Sequence, residues 1–214
     1  LSADGMVAVR NNSGEVDVIV DVNGWYDGLT VEAGGGFHPT SPARLLDTRT
    51  EPGTTTVDGQ ALGAGLQAAG ATVELVVAGR GGVPADAGAV ALNVAVTGAT
   101  ADGFITVHPC GSPRPNAANL NYAAGDTVPN LVLAKLGPSG TVCLYTYGST
   151  HIVADVNGYM PAGSSYAALN PARLLDTRAD GTTIDGVAAR TGPVAGGTVF
   201  ELPVAGRGGV AADA

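Results

Sequence analysis

Lysine is almost missing from this 214-residue chain: Lys135 is the only one, set against 33 glycines and 13 prolines. Charged residues of both signs make up only 14% of the chain, and Glu and Gln, like Lys, are few, so good polar helix formers are scarce. Glycine or proline interrupts almost every window of ten, which leaves helix propensity nowhere to accumulate and excludes a helical bundle. Aromatic residues are only 5% of the chain. No run of about 18 apolar residues occurs, which excludes a membrane-spanning helix. The net charge of −9 repels a phosphate backbone and excludes nucleic acid as a partner. The chain opens on Leu1, without an initiator Met or the basic start of a signal peptide, and reads as a piece of a longer protein.

What is present is apolar and repetitive. Hydrophobic residues reach 45%, mostly Val, Ala and Leu, enough for a packed core and too many for a disordered chain. Pro42 to Arg49 returns unchanged as Pro171 to Arg178, 129 residues later. Ala78 to Val83 returns as Ala205 to Val210 after 127, and Asp21-Val22-Asn23-Gly24-Trp25 is echoed by Asp155-Val156-Asn157-Gly158-Tyr159 after 134. A period near 130 means whole domains in tandem, because solenoid repeats run at about 20–50 residues.

The phase is set by linker chemistry. Residues 1–26 read as the C-terminal part of one repeat, 27–36 as a Gly-rich linker and 37–160 as a complete β-domain. Residues 161–165 then read as a second linker and 166–214 as the N-terminal part of a following repeat. A cut from Gly88 to Ala214 would be equally periodic.

Strand signals recur at short spacing: Met6–Arg10, Val16–Val22, Val73–Val77, Val90–Val96, Phe104–His108, Leu131–Lys135, Thr141–Tyr147 and Thr150–Val156. Pro203 places Val199–Val204 at a sheet edge, since proline donates nothing to a ladder. These patterns predict an all-β fold, an antiparallel β-sandwich of jelly-roll or immunoglobulin-like type, repeated in tandem. The Asn-Gly pairs at 23–24 and 157–158 predict turns, and Gly79 to Gly82 a tight loop.

Cys110 and Cys143, the only cysteines, predict a disulfide, the alternative being two buried thiols. Neither has a Cys-x-x-Cys neighbour, which argues against zinc and thioredoxin-like chemistry.

Together with Asn119-Leu120-Asn121-Tyr122 and Ala154 to Tyr159, the repeated phrases resemble a tandem repeat of secreted, cell-wall-associated actinobacterial proteins. The resemblance covers nearly the whole chain and implies a secreted or cell-surface location and a surface or spacer role. It carries over no catalytic residue, and the cysteine positions fit its pattern.

Two arginines flank an aspartate in the longest phrase, and again in its copy. As hooks, Arg44 and Arg49 would grip a carboxylate or sugar acid. As structure, Arg44, Asp47, Arg49 and Asp155, with Arg173, Asp176 and Arg178 in the second copy, would form internal ion pairs, the reading preferred here. Asp155 and Asn157, like Asp21 and Asn23, offer oxygens to calcium, but their spacing lacks the acidic positions of an EF-hand loop. His38, His108 and His151 have no partner at catalytic spacing, Gly-x-Ser-x-Gly is absent, and Lys135 lacks an acid that would catalyse an isopeptide bond. No enzyme, metal or cofactor is therefore expected.

The leading expectation is a non-catalytic stalk, spacer or adhesive segment whose partners are neighbouring repeats or like chains. A first alternative is a carbohydrate-binding module for cell-wall or other polysaccharide, with Trp25, Tyr26, Tyr145 and Tyr147 as its platform. A second is self-assembly into filaments through the incomplete ends.

Overall fold

The computed structural model describes residues 4–11, 14–26 and 36–214, except the side chains of residues 7, 8, 10 and 23–26. The linker expected at 27–36 lies, apart from Gly36, outside the described residues. Among those described there are twelve strands and no helix. They are β1 (Met6–Arg10), β2 (Ile19–Tyr26), β3 (His38–Asp47), β4 (Thr72–Val76), β5 (Ala87–Thr97) and β6 (Gly103–Pro109). The second half contributes β7 (Leu120–Tyr122), β8 (Val128–Lys135), β9 (Thr141–Thr146), β10 (His151–Pro161), β11 (Tyr166–Asp176) and β12 (Val199–Pro203).

The chain divides into two compact units. The larger comprises residues 31–114 and 118–168; the smaller joins 1–30 and 115–117 to 169–214.

In the larger unit, two four-stranded antiparallel sheets are ordered β3-β10-β5-β8 and β4-β9-β6-β7. Counting this unit's strands from one to eight, the orders are 1-8-3-6 and 2-7-4-5, the jelly-roll arrangement. The alternation in β5, β6 and β9 turns Val90, Leu92, Val94, Ile105, Val107, Val142 and Leu144 inward, each at most 1% exposed, and they form one core with Leu45, Leu46 and Leu75.

The smaller unit holds two two-stranded sheets, β1-β12 and β11-β2. Its core is Leu174, Leu175, Leu202, Val204 and Val210, with Val18, Val20 and Val22 packed against it. The register of β1 on β12 repeats that of β9 on β4: Val7 faces Leu202 as Val142 faces Leu75, and Ala8 faces Glu201 as Cys143 faces Glu74. These strand pairs are the outermost two of the rolled jelly-roll ribbon, so segments far apart in sequence meet by the same pairing logic in both units.

Three findings depart from the sequence reading. The Asn157-Gly158 pair makes no hairpin turn; it lies inside β10, where the register slips on both neighbouring strands between Val156 and Gly158. This is a bulge, and glycine serves close approach: a Cβ on Gly158 would lie 2.6 Å from the His38 carbonyl oxygen and closer still to the Phe37 ring. Asn23-Gly24 likewise falls within β2. Residues 161–165, expected as a linker, form the end of β10 and a tight turn into β11, and Ala162 N–H donates to the Asp86 carbonyl at 3.3 Å. The Pro-Ala-Arg-Leu-Leu-Asp phrase is itself strand, in β3 and β11. Pro39 and Pro42 are tolerated there because β3 is an edge strand, as is β12, which Pro203 had placed at an edge.

Candidate functional site

Asp47 ends β3 with its side chain fully buried. Oδ1 accepts the backbone N–H of Arg49 at 3.1 Å and its Nε at 2.9 Å, while Oδ2 accepts Arg49 Nη2 at 2.7 Å and Arg44 Nη1 at 3.2 Å. Arg44 also reaches from β3 to Asp155 on β10, with Nε to Oδ1 at 2.8 Å and Nη2 to Oδ2 at 3.3 Å. The hydrogen bonds from Arg49 hold the Asp47 carboxyl below the usual carboxylate range, and those to Asp155 raise Arg44. A turn, an edge strand and a central strand are tied through two carboxylates, Asp47 and Asp155, with Arg44 bridging them.

The smaller unit repeats the arrangement. Asp176, again fully buried, binds Arg178 at 2.6 Å and Arg173 at 3.2 Å, and Arg173 reaches Asp21 on β2 at 3.4 Å. Hydrogen bonds from Arg178 hold the Asp176 carboxyl low. All seven residues singled out as ion-pair candidates are thus joined to carboxylates or guanidiniums of the same chain.

A second tie was not read from the sequence. Arg80, in the Gly-Arg-Gly-Gly loop and buried, donates to both oxygens of Asp58 at 2.6 and 2.8 Å, and to the carbonyls of Val76 at 2.7 Å and Leu45 at 2.9 Å. Arg207 does the same with Asp185, Pro203 and Leu174. These bonds hold Asp58 and Asp185 at about 2. The signal was there: Val57-Asp58-Gly59 returns as Ile184-Asp185-Gly186 after 127 residues, the interval of the arginine loop. The neighbouring glycine is needed at Gly81, where φ is +57° and a Cβ would sit 2.8 Å from Val156 Cγ1.

Arg44 and Arg49 also line a cleft of about 520 Å³ with Glu51, Thr54, Thr97 and His151. The Nε and Nη2 of both guanidiniums are bound to Asp47 or Asp155, and His151 Nδ1 lies 3.3 Å from Thr48 Oγ1. The hook and calcium readings both compete with ion pairs already made. Among the described residues no group of three His, Cys, Asp or Glu is arranged to hold a metal ion.

Cys110 and Cys143 form a disulfide joining the end of β6 to β9. Of the aromatic platform candidates, the side chains of Trp25 and Tyr26 lie outside the described residues. Tyr145 and Tyr147 share the outer face of the β4-β9-β6-β7 sheet with two residues not singled out from the sequence. The Phe104 ring stacks on Tyr147 at 5.1 Å and tilts against Tyr145 at 6.0 Å, and the Arg114 guanidinium lies 4.0 Å over the Tyr145 ring. Phe104 and Arg114 occur in a stretch with no second copy in the chain, so no repetition drew attention to them. No protein-family model, curated protein or solved structure matches this chain.

Proposed function

We propose that the chain is a non-catalytic, extracellular tandem-repeat module that acts as a stalk, spacer or adhesive segment of a larger surface protein. The observation that carries this reading is the commitment of its charge: six arginines, Arg44, Arg49, Arg80, Arg173, Arg178 and Arg207, are bound to aspartates of the same chain. Charge that ties loops to strands is not available to a substrate. A disulfide suits an oxidising compartment, and recurrence of the same ties at repeat-equivalent residues suits a rigid unit used more than once. The test is surface display. With the chain placed between a membrane anchor and an epitope, a bulky antibody should reach the epitope better than across a Gly/Ser linker of equal length; equal access would refute the spacer role.

A second reading, lateral assembly by strand addition, is favoured by one observation. Among the described residues, β9 and β10 of the larger unit are paired on both sides, whereas their counterparts β1 and β2 are paired on one. Light scattering on the whole chain and on residues 37–160 alone tests it, with assembly predicting larger species only for the whole chain.

A further inference from the structure

We propose that the outer face of the β4-β9-β6-β7 sheet is a binding site for a neutral saccharide chain, built from Tyr147, Phe104, Tyr145 and Arg114. This goes beyond the spacer reading and stands or falls separately from it. Three of the chain's ten aromatic residues meet on this one face. The core does not need them: Ile105, Val107, Val142 and Leu144 of the same two strands point the other way and fill it. Phe104 and Tyr147 are opposed across the strands, joined by Tyr147 N–H to the Phe104 carbonyl at 3.0 Å, and their rings stack at an interplanar angle of 12°. Tyr147 nonetheless remains 58% exposed. Such a ring offers the apolar surface that the C–H face of a pyranose covers.

Arg114 supplies the second, independent observation. Where six other arginines are tied to aspartates, Arg114 makes neither an ion pair nor a hydrogen bond within the described residues, and is held in place by the Tyr145 ring. Its N–H donors are oriented and unspent. Asn121, opposite Phe104 on β7 and exposed, adds an amide that both donates and accepts. Exposed Glu74 stands opposite Cys143 on β4, beside the row that holds Tyr145. Oriented donors and acceptors around stacked rings match sugar hydroxyls, whereas Glu74 and a net charge of −9 disfavour a polyanion.

The test uses the full oxidised chain, with retention on insoluble cellulose and chitin and calorimetric titration with soluble neutral oligosaccharides. Uronic-acid oligosaccharides and a proline-rich peptide serve as competing probes. At least one neutral saccharide should bind. Tyr147→Ala and Arg114→Ala should each weaken it by about tenfold or more, Tyr147→Phe should not, and none should lower the melting temperature by more than about 5 °C, the loss of one exposed ring contact. Absence of neutral-saccharide binding, binding confined to the acidic sugar or the peptide, or affinity unchanged in Tyr147→Ala with Arg114→Ala would overturn the assignment.

Discussion

Replacing Asp47 by Asn changes one buried oxygen into an amide nitrogen and leaves the shape intact. The wild-type carboxylate accepts four N–H groups at 2.7 to 3.2 Å. Asparagine keeps one acceptor oxygen and turns its amide N–H groups toward guanidinium N–H groups, so about two charge-assisted bonds are lost, each contributing about 1.5–3 kcal/mol. The side chains of Arg44 and Arg49 are 35% and 32% exposed and recover part of their hydration. The net cost is then about 2–4 kcal/mol, a fall in melting temperature of about 6–15 °C for a unit of this size. Calorimetry and circular dichroism on the oxidised chain read it directly.

The pH dependence sharpens the test. The folded-state value for Asp47 lies below its ordinary 3.8, so its contribution is complete above that value and is lost as pH falls through the folded one. The gap between wild type and Asp47→Asn should be constant from neutral pH down to about pH 4 and narrow below it. A difference under about 1 kcal/mol at neutral pH, the size of an exposed pair, or one that does not narrow in acid, would refute the structural role given to this carboxylate.

Other outcomes follow from the same geometry. Thr48 Oγ1 accepts the buried Ile152 N–H at 2.9 Å, so Thr48→Val, which keeps the volume, should cost about 1–3 kcal/mol in chemical unfolding, with Thr48→Ser milder. Thr177, which accepts the Val18 N–H at 2.9 Å, should behave alike in the smaller unit. Removing the disulfide with Cys110→Ser and Cys143→Ser, a bridge across 33 residues, should lower stability by about 3–4 kcal/mol on the chain-entropy estimate. Gly81→Ala, at a left-handed φ and against Val156 and Leu45, should lower the melting temperature more than Gly79→Ala, which has the same sign of φ but open space. Because Asp47, Asp58, Asp176 and Asp185 are all held low, wild-type stability should be flat above about pH 4 and fall between there and about pH 2.

The sheets were legible where apolar residues alternate, as in β5, β6, β9 and β10, because every second residue of each enters the main core. They were illegible where both faces matter at once: Leu45 and Leu46 are consecutive and both buried, which breaks the period-two signal, and two prolines disguise the edge strand before them. The Asn-Gly bulge shows a limit of turn chemistry, since a glycine chosen for close approach reads the same as one chosen for a positive φ. Repetition exposed the Asp47 tie because its partners stand within one phrase or in another repeated phrase. The Arg80–Asp58 tie joins a repeated loop to a three-residue echo 22 positions away, and the Phe104–Arg114 ledge has no echo at all. Long-range partners of single residues are set by topology, which a single sequence does not print.

Six of the chain's arginines, Arg44, Arg49, Arg80, Arg173, Arg178 and Arg207, are internal fastenings. Side-chain Nε–H resonances of the oxidised protein at neutral pH measure that most directly. Slowly exchanging signals for Arg44, Arg49, Arg80, Arg173, Arg178 and Arg207, unmoved by millimolar glucuronate and lost together in strong acid, are the predicted result, with Arg114 exchanging freely. Fast exchange at Arg44 and Arg49, or their displacement by glucuronate, would contradict it.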